Sequence, residues 1–228
     1  MNIFLGKKIL IYGLGKSGIS TYKFLKSKSH VYLHDDSKSK IKSFNIRKKF
    51  INYKNISNYE FDYIIISPGI DINKCNLSNF LKKNRDKIYS DLDIFYEFYK
   101  NDCIAITGTN GKSTTCQLLY EVLLDQKFNV RLVGNIGNPI LDEKKITNKT
   151  IFIVEASSYQ LEYSKIFRSK YSAILNLSPD HLERHKTMLN YIEAKFKLLR
   201  NQTKNGFAFV KKKDPLIQKQ LKIKKFRN

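Results

Sequence analysis

The sequence is poor in glycine, and its few glycines are clustered. There are ten among 228 residues, about 4% where globular proteins average ~7%. Eight of the ten fall at four places, positions 13/15/18, 69, 108/111 and 134/137. Glycine is the residue that adopts positive φ and lets a ligand approach the main chain closely. We therefore expect these four places to be turns with a backbone or ligand-binding requirement.

Long hydrophobic runs and cysteines are scarce as well. No apolar run exceeds about five residues, whereas a bilayer-spanning helix needs ~20, and no signal-peptide pattern is visible. The three cysteines, Cys75, Cys103 and Cys116, lack metal-ligand spacing and lie in or beside predicted core elements. They are typical of small core residues in a reducing compartment. We expect a cytoplasmic protein without membrane contact.

Acidic residues are outnumbered, with 20 Asp and Glu against 42 Lys and Arg and a net charge of +22. A strongly basic chain is typical of proteins with nucleic-acid partners. Here, however, 35 of the basic residues are lysine and 7 are arginine, whereas base readout relies on arginine. The charges are spread along the chain and concentrated only in residues 211–228. We therefore expect no nucleic-acid partner, with contact of that tail with a polyanion as the alternative.

The most informative stretch is Ile104-Ala-Ile-Thr-Gly-Thr-Asn-Gly-Lys-Ser-Thr-Thr115. Its apolar start predicts a buried strand, its glycines predict a turn, and segment 114–124 predicts a helix. N–H groups and the dipole at a helix N-terminus favour a phosphate; Lys112 would reach the β- and γ-phosphates and Ser113 would lie on Mg²⁺. The general P-loop has a glycine where Ile106 stands. The predicted nucleotide-binding residues are Gly108, Thr109, Asn110, Gly111, Lys112, Ser113 and Thr114.

A second glycine motif, Gly13-Leu-Gly-Lys-Ser-Gly18, lies between the predicted strands 8–12 and 30–34. With Asp35 about 20 residues after Gly15, this βαβ pattern matches the dinucleotide-binding fingerprint. Any nucleoside diphosphate with a pendant group would satisfy it, and a purely structural turn is the alternative. A third predicted strand, 61–67, ends at Ser67-Pro-Gly69, which either lines the same crevice or forms an ordinary turn.

Three predicted strands of the second half end in polar residues. Segment 129–133 is followed by Gly134-Asn-Ile-Gly137, segment 150–154 by Glu155, and segment 172–177 by a stretch that contains His181. Ligands of open α/β sheets gather at the carboxyl ends of strands. A carboxylate behind four buried apolar residues is costly unless it is paired or on a cation. Mg²⁺ binding therefore fits Glu155, with a helix-capping or core ion-pair role as the alternative. His181 alone is more often structural, but its place on the side of Glu155 favours a ligand role.

The last long pattern is an amphipathic helix over 187–200. Its predicted inward residues are Leu189, Ile192, Phe196 and Leu199. Lys195 lies along the same apolar face, and burial lowers the pKa of a lysine. A neutral amine can react with CO₂ to give a carbamate, which resembles a carboxylate ligand of Mg²⁺. Spacing alone favours the alternative, a lysine whose amine extends to solvent.

Together the motifs identify a family. They are Gly13-Leu-Gly-Lys-Ser-Gly18, Ser67-Pro-Gly69, Gly108-Thr-Asn-Gly-Lys-Ser-Thr114, Gly134-Asn-Ile-Gly137, Glu155-Ala-Ser-Ser-Tyr-Gln160, Asn176-Leu-Ser-Pro-Asp-His181 and Glu193-Ala-Lys195. In this order they resemble the Mur ligases, above all the members that add D-glutamate, over residues 1 to about 210. The resemblance implies an α/β fold: a Rossmann-like parallel-sheet domain, 1–93, that binds the UDP-substrate, then an incomplete P-loop-type ATP-binding α/β domain, 94–228. The family's C-terminal amino-acid-binding domain is expected to be absent, so D-glutamate capture is supported by no residue in hand.

The resemblance also implies a reaction. ATP on residues 108–114 would phosphorylate the L-alanyl carboxylate of UDP-N-acetylmuramoyl-L-alanine. The D-glutamate amine would then attack this acyl phosphate, giving an amide, ADP and phosphate, in peptidoglycan precursor synthesis. The implied catalytic residues are Lys112, Glu155, His181 and Lys195. Two Mg²⁺ ions are implied, one held by Ser113 and Glu155 and a second supported by His181 and N-carbamylated Lys195. The expected form is a monomer.

The UDP-substrate would contact residues from both halves. Those implied are Gly15, Lys16, Ser17, Asp35, Asp36, Ser67, Gly69, Asn135 and Gln160. Two other functions remain open. One is a truncated, non-catalytic module that binds UDP-sugar and ATP; the other is another Mur-type or related amide ligase, such as a folylpolyglutamate synthetase. Against the last stands the N-terminal glycine motif, which those synthetases lack.

Overall fold

The computed structural model describes residues 2–37 and 49–223, and their named strands form two sheets. The first sheet consists of β1 (Lys8–Tyr12), β2 (His30–His34), β3 (Tyr63–Ile66) and β4 (Ile88–Tyr89). Its strands are parallel and their spatial order is β2-β1-β3-β4. Residues 9–12 of β1 are completely buried, as expected of a central parallel strand that is covered on both faces.

Among the described residues of this half, three α-helices accompany the first sheet: α1 (Lys16–Leu25), α2 (Ser78–Lys83) and α3 (Asp91–Phe98). α1 begins directly after Gly15, and its Leu25 packs in one core cluster with Ile9 and Ile11. This is the βαβ arrangement that the glycine motif predicts. At the start of α3, the Ser90 side chain and Asp93 form a capping box, which satisfies N–H groups that a helix start otherwise leaves without partners.

The second sheet is also parallel. Its strands are β5 (Cys103–Thr107), β6 (Val130–Gly134), β7 (Ile151–Glu155), β8 (Tyr171–Ile174) and β9 (Phe207–Val210), in the order β6-β7-β5-β8-β9. The helices of this half are α4 (Lys112–Asp125), α5 (Ser158–Tyr163), α6 (Leu182–His185), α7 (Met188–Arg200) and α8 (Pro215–Ile223). The predicted α/β class with parallel sheets is confirmed.

Asp93 of α3 joins the two halves. Its fully buried carboxylate accepts hydrogen bonds from Ser164 Oγ (3.0 Å) and from the N–H groups of Ile166 (2.8 Å) and Phe167 (2.9 Å). Several donors of this kind satisfy a buried charge that would otherwise be costly. The predicted domain boundary at 93/94 falls inside α3, and the division at that residue stays a prediction.

Several predicted element boundaries are wrong. The strand expected over 61–67 covers only Tyr63–Ile66, and two further boundaries lie beside the second glycine loop. The helix expected over 114–124 begins at Lys112, because Gly111 adopts the left-handed conformation (φ 80°) and turns the chain into the helix two residues earlier. The strand expected over 172–177 ends at Ile174. That residue pairs with the last residue of β5, and the chain beyond it turns to the glycine loop instead of continuing the ladder.

α7 buries most of the residues that its pattern predicts, including Ile192, Phe196 and Leu199. Leu189, which we expected to face the core, is 58% exposed. The first turn of the helix, residues 188–190, is largely exposed, and the buried face begins at Tyr191. The periodicity was therefore correct, but the packing starts one turn later than the pattern predicts.

The basic tail contains an ordered helix as far as residue 223. Asp214 precedes α8 and accepts hydrogen bonds from the N–H groups of Leu216 (3.0 Å) and Ile217 (3.1 Å), while its second oxygen accepts one from Leu177 N–H (3.0 Å). Ile217 is completely buried. Residues 224–228 of the tail lie outside the described residues. Across the described ranges, no helix is long and apolar enough to cross a membrane.

Candidate active site

The register of the second sheet brings the candidate residues to one edge. Ile106 of β5 pairs with Glu155 of β7, and Thr107 pairs with Ile174 of β8. Because all these strands are parallel, their carboxyl ends lie side by side. The glycine loop 108–111, Glu155 and the segment that carries His181 therefore leave the sheet at the same edge.

The glycine loop is held in place by the segment that follows β8. Thr109 N–H donates to Asn176 O (3.1 Å), and Asn110 N–H donates to Asn176 Oδ1 (2.9 Å). Asn176 Nδ2 in turn donates to Asn110 O (3.1 Å). Lys112 Nζ lies back over the loop and donates to Thr109 O (2.8 Å). The loop is thus preformed, with the first N–H groups of α4 at its end.

The residues at the start of α4 are accessible. Ser113 and Thr114 are exposed, and the N–H groups of the first turn of any helix lack acceptors within that helix. The same end of the helix carries partial positive charge. This edge therefore combines orphan donors, a lysine and a hydroxyl, as a phosphate group requires.

Glu155 is completely buried with only half of its carboxylate satisfied. Its Oε1 accepts a hydrogen bond from Asn135 Nδ2 (2.7 Å), whereas Oε2 finds no donor within the described residues. An unpaired buried carboxylate oxygen is costly. A cation at this edge would satisfy it, and a carboxylate with a hydroxyl and phosphate oxygens is a set of oxygen ligands that suits Mg²⁺.

The donor set at this edge is sparse in metal ligands. Within residues 2–37 and 49–223, no group of three or more His, Cys, Asp or Glu side chains is placed to hold a metal ion. The predicted set contains one carboxylate and one imidazole, with a hydroxyl and a lysine. Mg²⁺ commonly binds proteins through one or two carboxylates and takes its remaining ligands from water and substrate phosphates, so the residues present fit such an ion.

Lys195 is 1% exposed, so its amine does not reach solvent, and the alternative of a solvent-extended lysine is wrong. Nζ donates to Gly108 O (2.8 Å) and lies over the ring of Tyr191, 4.6 Å from its centroid. Burial, and after it the charge of Lys112, lowers the pKa of Lys195 to about 7, against the opposing effects of Asp180 and Glu155. The amine is therefore partly neutral near neutral pH, as carbamate formation requires.

His181 lies at the N-cap of α6 in a left-handed backbone conformation (φ 53°) and is partly exposed. Its ring contacts that of Tyr159, with centroids 4.9 Å apart. Tyr191 lies between this region and the glycine loop: its ring is 6.4 Å from that of His181, and its hydroxyl is 3.0 Å from Thr109 Oγ1. Lys112, His181 and Lys195 are thus connected through Tyr191 and the glycine loop, whereas Glu155 lies at the same edge through the pairing of β7 with β5.

The first glycine loop, residues 13–18, is packed tightly at two of its glycines. A Cβ on Gly18 would lie 1.8 Å from Gly13 O, and a Cβ on Gly13 would lie 2.8 Å from Ser67 Cβ. Ser67 Oγ also donates to Gly13 O (2.6 Å). Gly15 differs, because no described atom lies within 4 Å of the place where its Cβ would be. Lys16, the next residue, is exposed, and so is Gly69, two residues after Ser67.

Two acids predicted to contact the substrate are already engaged by the protein. Asp35 Oδ2 accepts a hydrogen bond from Leu14 N–H (2.6 Å) within the first loop. Both oxygens of Asp36 accept from Tyr12 OH at 2.8 Å. Gln160 is likewise buried, and its Oε1 accepts from Ser157 N–H (3.1 Å) as part of the α5 cap. These three side chains shape their loops, and their contact with a substrate stays a prediction.

Several residues at the site were not singled out from the sequence. Asn176 and Tyr191 hold the glycine loop, and Asp91 lies beside the first loop within hydrogen-bonding reach of Ser17. Asp91 is buried, and this burial raises its pKa to about 6. Asn176 belongs to a motif that the sequence does show, so its position directly after β8 was the available signal. Nothing in the local pattern distinguishes the other two.

Two family descriptions match the chain. The Mur ligase middle domain matches residues 106–227, more than half of the chain, and the N-terminal domain of MurD-like Mur ligases matches residues 7–88. A UDP-N-acetylmuramoylalanine--D-glutamate ligase from Lachnoclostridium phytofermentans is 38% identical over 226 residues, covering 94% of this chain and 50% of that protein. The Rickettsia bellii protein of the same name is 36% identical over 214 residues, covering 92% and 47%. The chain spans about half the length of the curated relatives it matches.

Solved structures share the fold. The UDP-N-acetylmuramate:L-alanyl-gamma-D-glutamyl-meso-diaminopimelate ligase from Neisseria meningitides superposes with a TM-score of 0.58 at 14% identity, covering 96% of this chain and 75% of that one. The MurF ligase of Thermotoga maritima, solved with ADP, superposes with a TM-score of 0.50 at 17% identity, covering 99% and 47%. Because the Mur ligase middle domain matches more than half of the chain, the chain belongs to the Mur ligase family.

Proposed function

We propose that this chain is part of an ATP-dependent ligase that joins D-glutamate to UDP-N-acetylmuramoyl-L-alanine in cytoplasmic peptidoglycan precursor synthesis. The observation that carries the proposal is the half-satisfied carboxylate of Glu155 at the edge occupied by the phosphate loop. It is supported by the 36–38% identity to ligases of that name. The working unit is taken to be a monomer.

In the proposed complex, the ATP phosphates lie on residues 108–114, and Lys112 offsets their charge. Ser113 and Glu155 hold one Mg²⁺, and His181 with carbamylated Lys195 supports a second. Bound Mg²⁺ neutralises phosphate charge and orients the γ-phosphoryl group. The protein itself contributes positioning and charge neutralisation, which is most of what phosphoryl transfer requires.

The proposed chemistry has two steps. A carboxylate oxygen of the L-alanyl group forms a bond to the γ-phosphorus, and the bond to the β–γ bridging oxygen breaks, releasing ADP. The amine of D-glutamate then attacks the acyl carbon. The carbon–oxygen bond to phosphate breaks, a proton leaves the nitrogen, and orthophosphate and the amide are formed.

The sugar nucleotide occupies the first loop in this proposal. Gly15, Lys16 and Ser17 admit its diphosphate to the start of α1, and Gly69 lies beside them. Asp35, Asp36 and Ser67 fix the shape of that loop and contact the sugar nucleotide, with Asp35 and Asp36 near its uridine. Asn135 and Gln160 face the sugar or peptide from the second half. Residues 1–93 thus serve the sugar nucleotide and residues 94–228 serve ATP.

Hydroxylamine trapping tests the proposal directly. The purified chain is incubated with UDP-N-acetylmuramoyl-L-alanine, Mg²⁺, ATP and hydroxylamine, and the hydroxamate is quantified by mass spectrometry. We expect ATP-dependent hydroxamate that Lys112→Ala abolishes and the exposed-lysine control Lys144→Ala retains. If both ligands bind but no hydroxamate forms, the chain is a binding module. If neither ligand binds, the proposed function is wrong.

A further inference from the structure

Arg184 is a buried cation outside the proposed ATP and sugar-nucleotide sites. It lies three residues after His181, on α6, with its side chain 7% exposed. Its Nε donates to Glu162 Oε2 (3.1 Å), while one terminal nitrogen donates to Ile70 O and to Tyr163 OH, both at 2.6 Å. The guanidinium therefore connects α5 and α6 of the second half with the segment after β3 of the first half.

Tyr163 reinforces the same connection. Its hydroxyl accepts the hydrogen bond from Arg184 and donates to Ile70 O (2.9 Å), and Ile72 N–H approaches it at 3.4 Å. The guanidinium carbon of Arg184 also lies 5.4 Å from the centroid of the Tyr163 ring. Two side chains of the second half thus hold segment 70–72 of the first half.

Segment 70–72 leads directly to the first glycine loop. Ile70 N–H donates to Ser67 O (2.9 Å), and Ser67 Oγ donates to Gly13 O (2.6 Å). A Cβ on Gly13 would also contact Ile70 Cγ1 at 2.9 Å, so that side chain packs directly on the loop. Ser67 and Ile70 thus form one wall of the first loop, and displacing segment 70–72 would move that wall.

At its other end, the connection made by Arg184 reaches the turn at His181 that begins α6, called here the His181 turn. Arg184 N–H donates to His181 O (3.1 Å), so His181 is the N-cap of the short helix that carries Arg184. A guanidinium with several fixed donors sets the relative orientation of its partners, which a lysine at the same place does not. Simple stabilisation explains the contacts less well, because burying an ion pair usually gains little net stability.

We propose that Arg184 is a positioning residue that fixes the wall of the first glycine loop relative to the His181 turn of the second half. The inference rests on the proposed function, in which the two ends are the sugar-nucleotide site and the phosphate-transfer site. It follows that sugar-nucleotide binding depends on Arg184, whereas binding of Mg·ATP to loop 108–111 does not.

The test uses Arg184→Met and Arg184→Lys, with Arg200→Met as the matched control. Arg200 lines the same cavity of about 420 Å³ but pairs with Glu193 on its own helix. Dissociation constants for UDP-N-acetylmuramoyl-L-alanine and for Mg·ATP are measured separately by calorimetry. For Arg184→Met we expect sugar-nucleotide affinity to fall about tenfold, a change typical of coupled sites, with Mg·ATP affinity unchanged. Arg184→Lys should not restore it, and Arg200→Met should change neither constant.

Tyr163→Phe provides a second variant in case truncation of Arg184 prevents folding. It removes the hydroxyl that Ile70, Ile72 and Arg184 share but keeps the ion pair between Arg184 and Glu162. We expect a smaller loss of sugar-nucleotide affinity, again without a change for Mg·ATP. Unchanged sugar-nucleotide affinity in folded variants, or equal losses for both ligands, overturns the inference. A wild-type chain that binds neither ligand overturns the proposed function instead.

Discussion

The two glycine loops occupy equivalent places, each at the carboxyl edge of a parallel sheet. The polar side chains around them differ in whether the protein itself supplies their hydrogen-bond partners. Around the first loop, polar side chains form hydrogen bonds to the protein: Asp35 accepts from Leu14 N–H and Ser67 donates to Gly13 O. Around the second loop, Glu155 keeps a buried oxygen without a partner among the described residues, and Lys195 is a buried amine.

This difference indicates two ways of preparing a binding site. The first loop offers a fixed backbone shape whose own polar groups are satisfied. The second concentrates charges that a low-dielectric environment makes costly, and a ligand with matching charge would relieve that cost. Changes at the tightly packed glycines of the first loop should therefore reduce the free energy of unfolding, whereas changes at the second loop should mainly weaken ligand binding.

The largest expected effect is at the first loop, for Gly18→Ala. The new Cβ would lie 1.8 Å from Gly13 O, a main-chain atom that cannot move without deforming β1 and the loop. We expect a loss of more than about 4 kcal/mol in the free energy of unfolding, in the range that marks severe strain. Urea denaturation followed by circular dichroism measures this loss.

Gly15→Ala is the matched control in the same loop. Gly15 has a φ of −75°, which alanine adopts readily, and the described chain leaves space where its Cβ would be. We expect its stability to stay within about 0.5 kcal/mol of the wild type, as for ordinary surface changes. Equal losses for both variants would contradict the account of the first loop as a precisely packed turn.

How much of this contrast the sequence predicts depends on the range of the contacts. Local patterns predicted the strands, because strands buried on both faces must be apolar, and they predicted which residues follow each strand. The wall of the first loop depends instead on Arg184 and Ile70, which are 114 positions apart. No local pattern carries that information.

Lys195 and Asp35 show the same limit at single residues. The spacing places Lys195 on the apolar face of α7. That its amine is buried, however, depends on contacts with Gly108 O and the Tyr191 ring, which the spacing does not reveal. For Asp35, the fingerprint predicted a ligand contact. In the folded chain, Oδ2 of its carboxylate accepts a hydrogen bond from the N–H of Leu14 at 2.6 Å.

The next largest effect is expected for Glu155→Gln, at the second loop. Without ligand, we expect the free energy of unfolding to change by less than about 1 kcal/mol, because the oxygen that accepts from Asn135 is retained. Mg·ATP affinity should fall about 100-fold, the upper end of the loss seen when partners of a metal ligand are removed. Calorimetric titration with Mg·ATP measures it.

Glu121→Gln is the control for that substitution, since Glu121 is an exposed carboxylate on α4 that Gln117 contacts. It should leave nucleotide affinity unchanged. If Glu155→Gln instead unfolds the chain as Gly18→Ala is expected to, Glu155 is a structural residue, and the contrast between the two loops disappears.

The smallest expected effect is a pH response of opposite sign at the two edges. Burial raises the pKa of Asp91, beside the first loop, to about 6, from an ordinary 3.8. Its contribution to stability is therefore complete below pH 3.8 and is lost as the pH rises to about 6. Burial, and after it the charge of Arg184, lowers the pKa of His185, near the second loop, from 6.5 to about 4. Its contribution is complete above pH 6.5 and is lost as the pH falls towards 4.

Asp91→Asn and His185→Gln separate these contributions. Between pH 4 and 6, the stability of the wild type relative to Asp91→Asn should fall with rising pH, while its stability relative to His185→Gln should rise. Each change in relative stability should be on the order of 1 to 2 kcal/mol. A single group can change the free energy of unfolding by at most 1.36 kcal/mol per pH unit, and the range covers two units. Chemical denaturation at several pH values measures both, with His30→Gln, at an exposed position of β2, as the control. Parallel trends for the two variants would mean that the two edges do not differ in how they hold their buried ionisable groups.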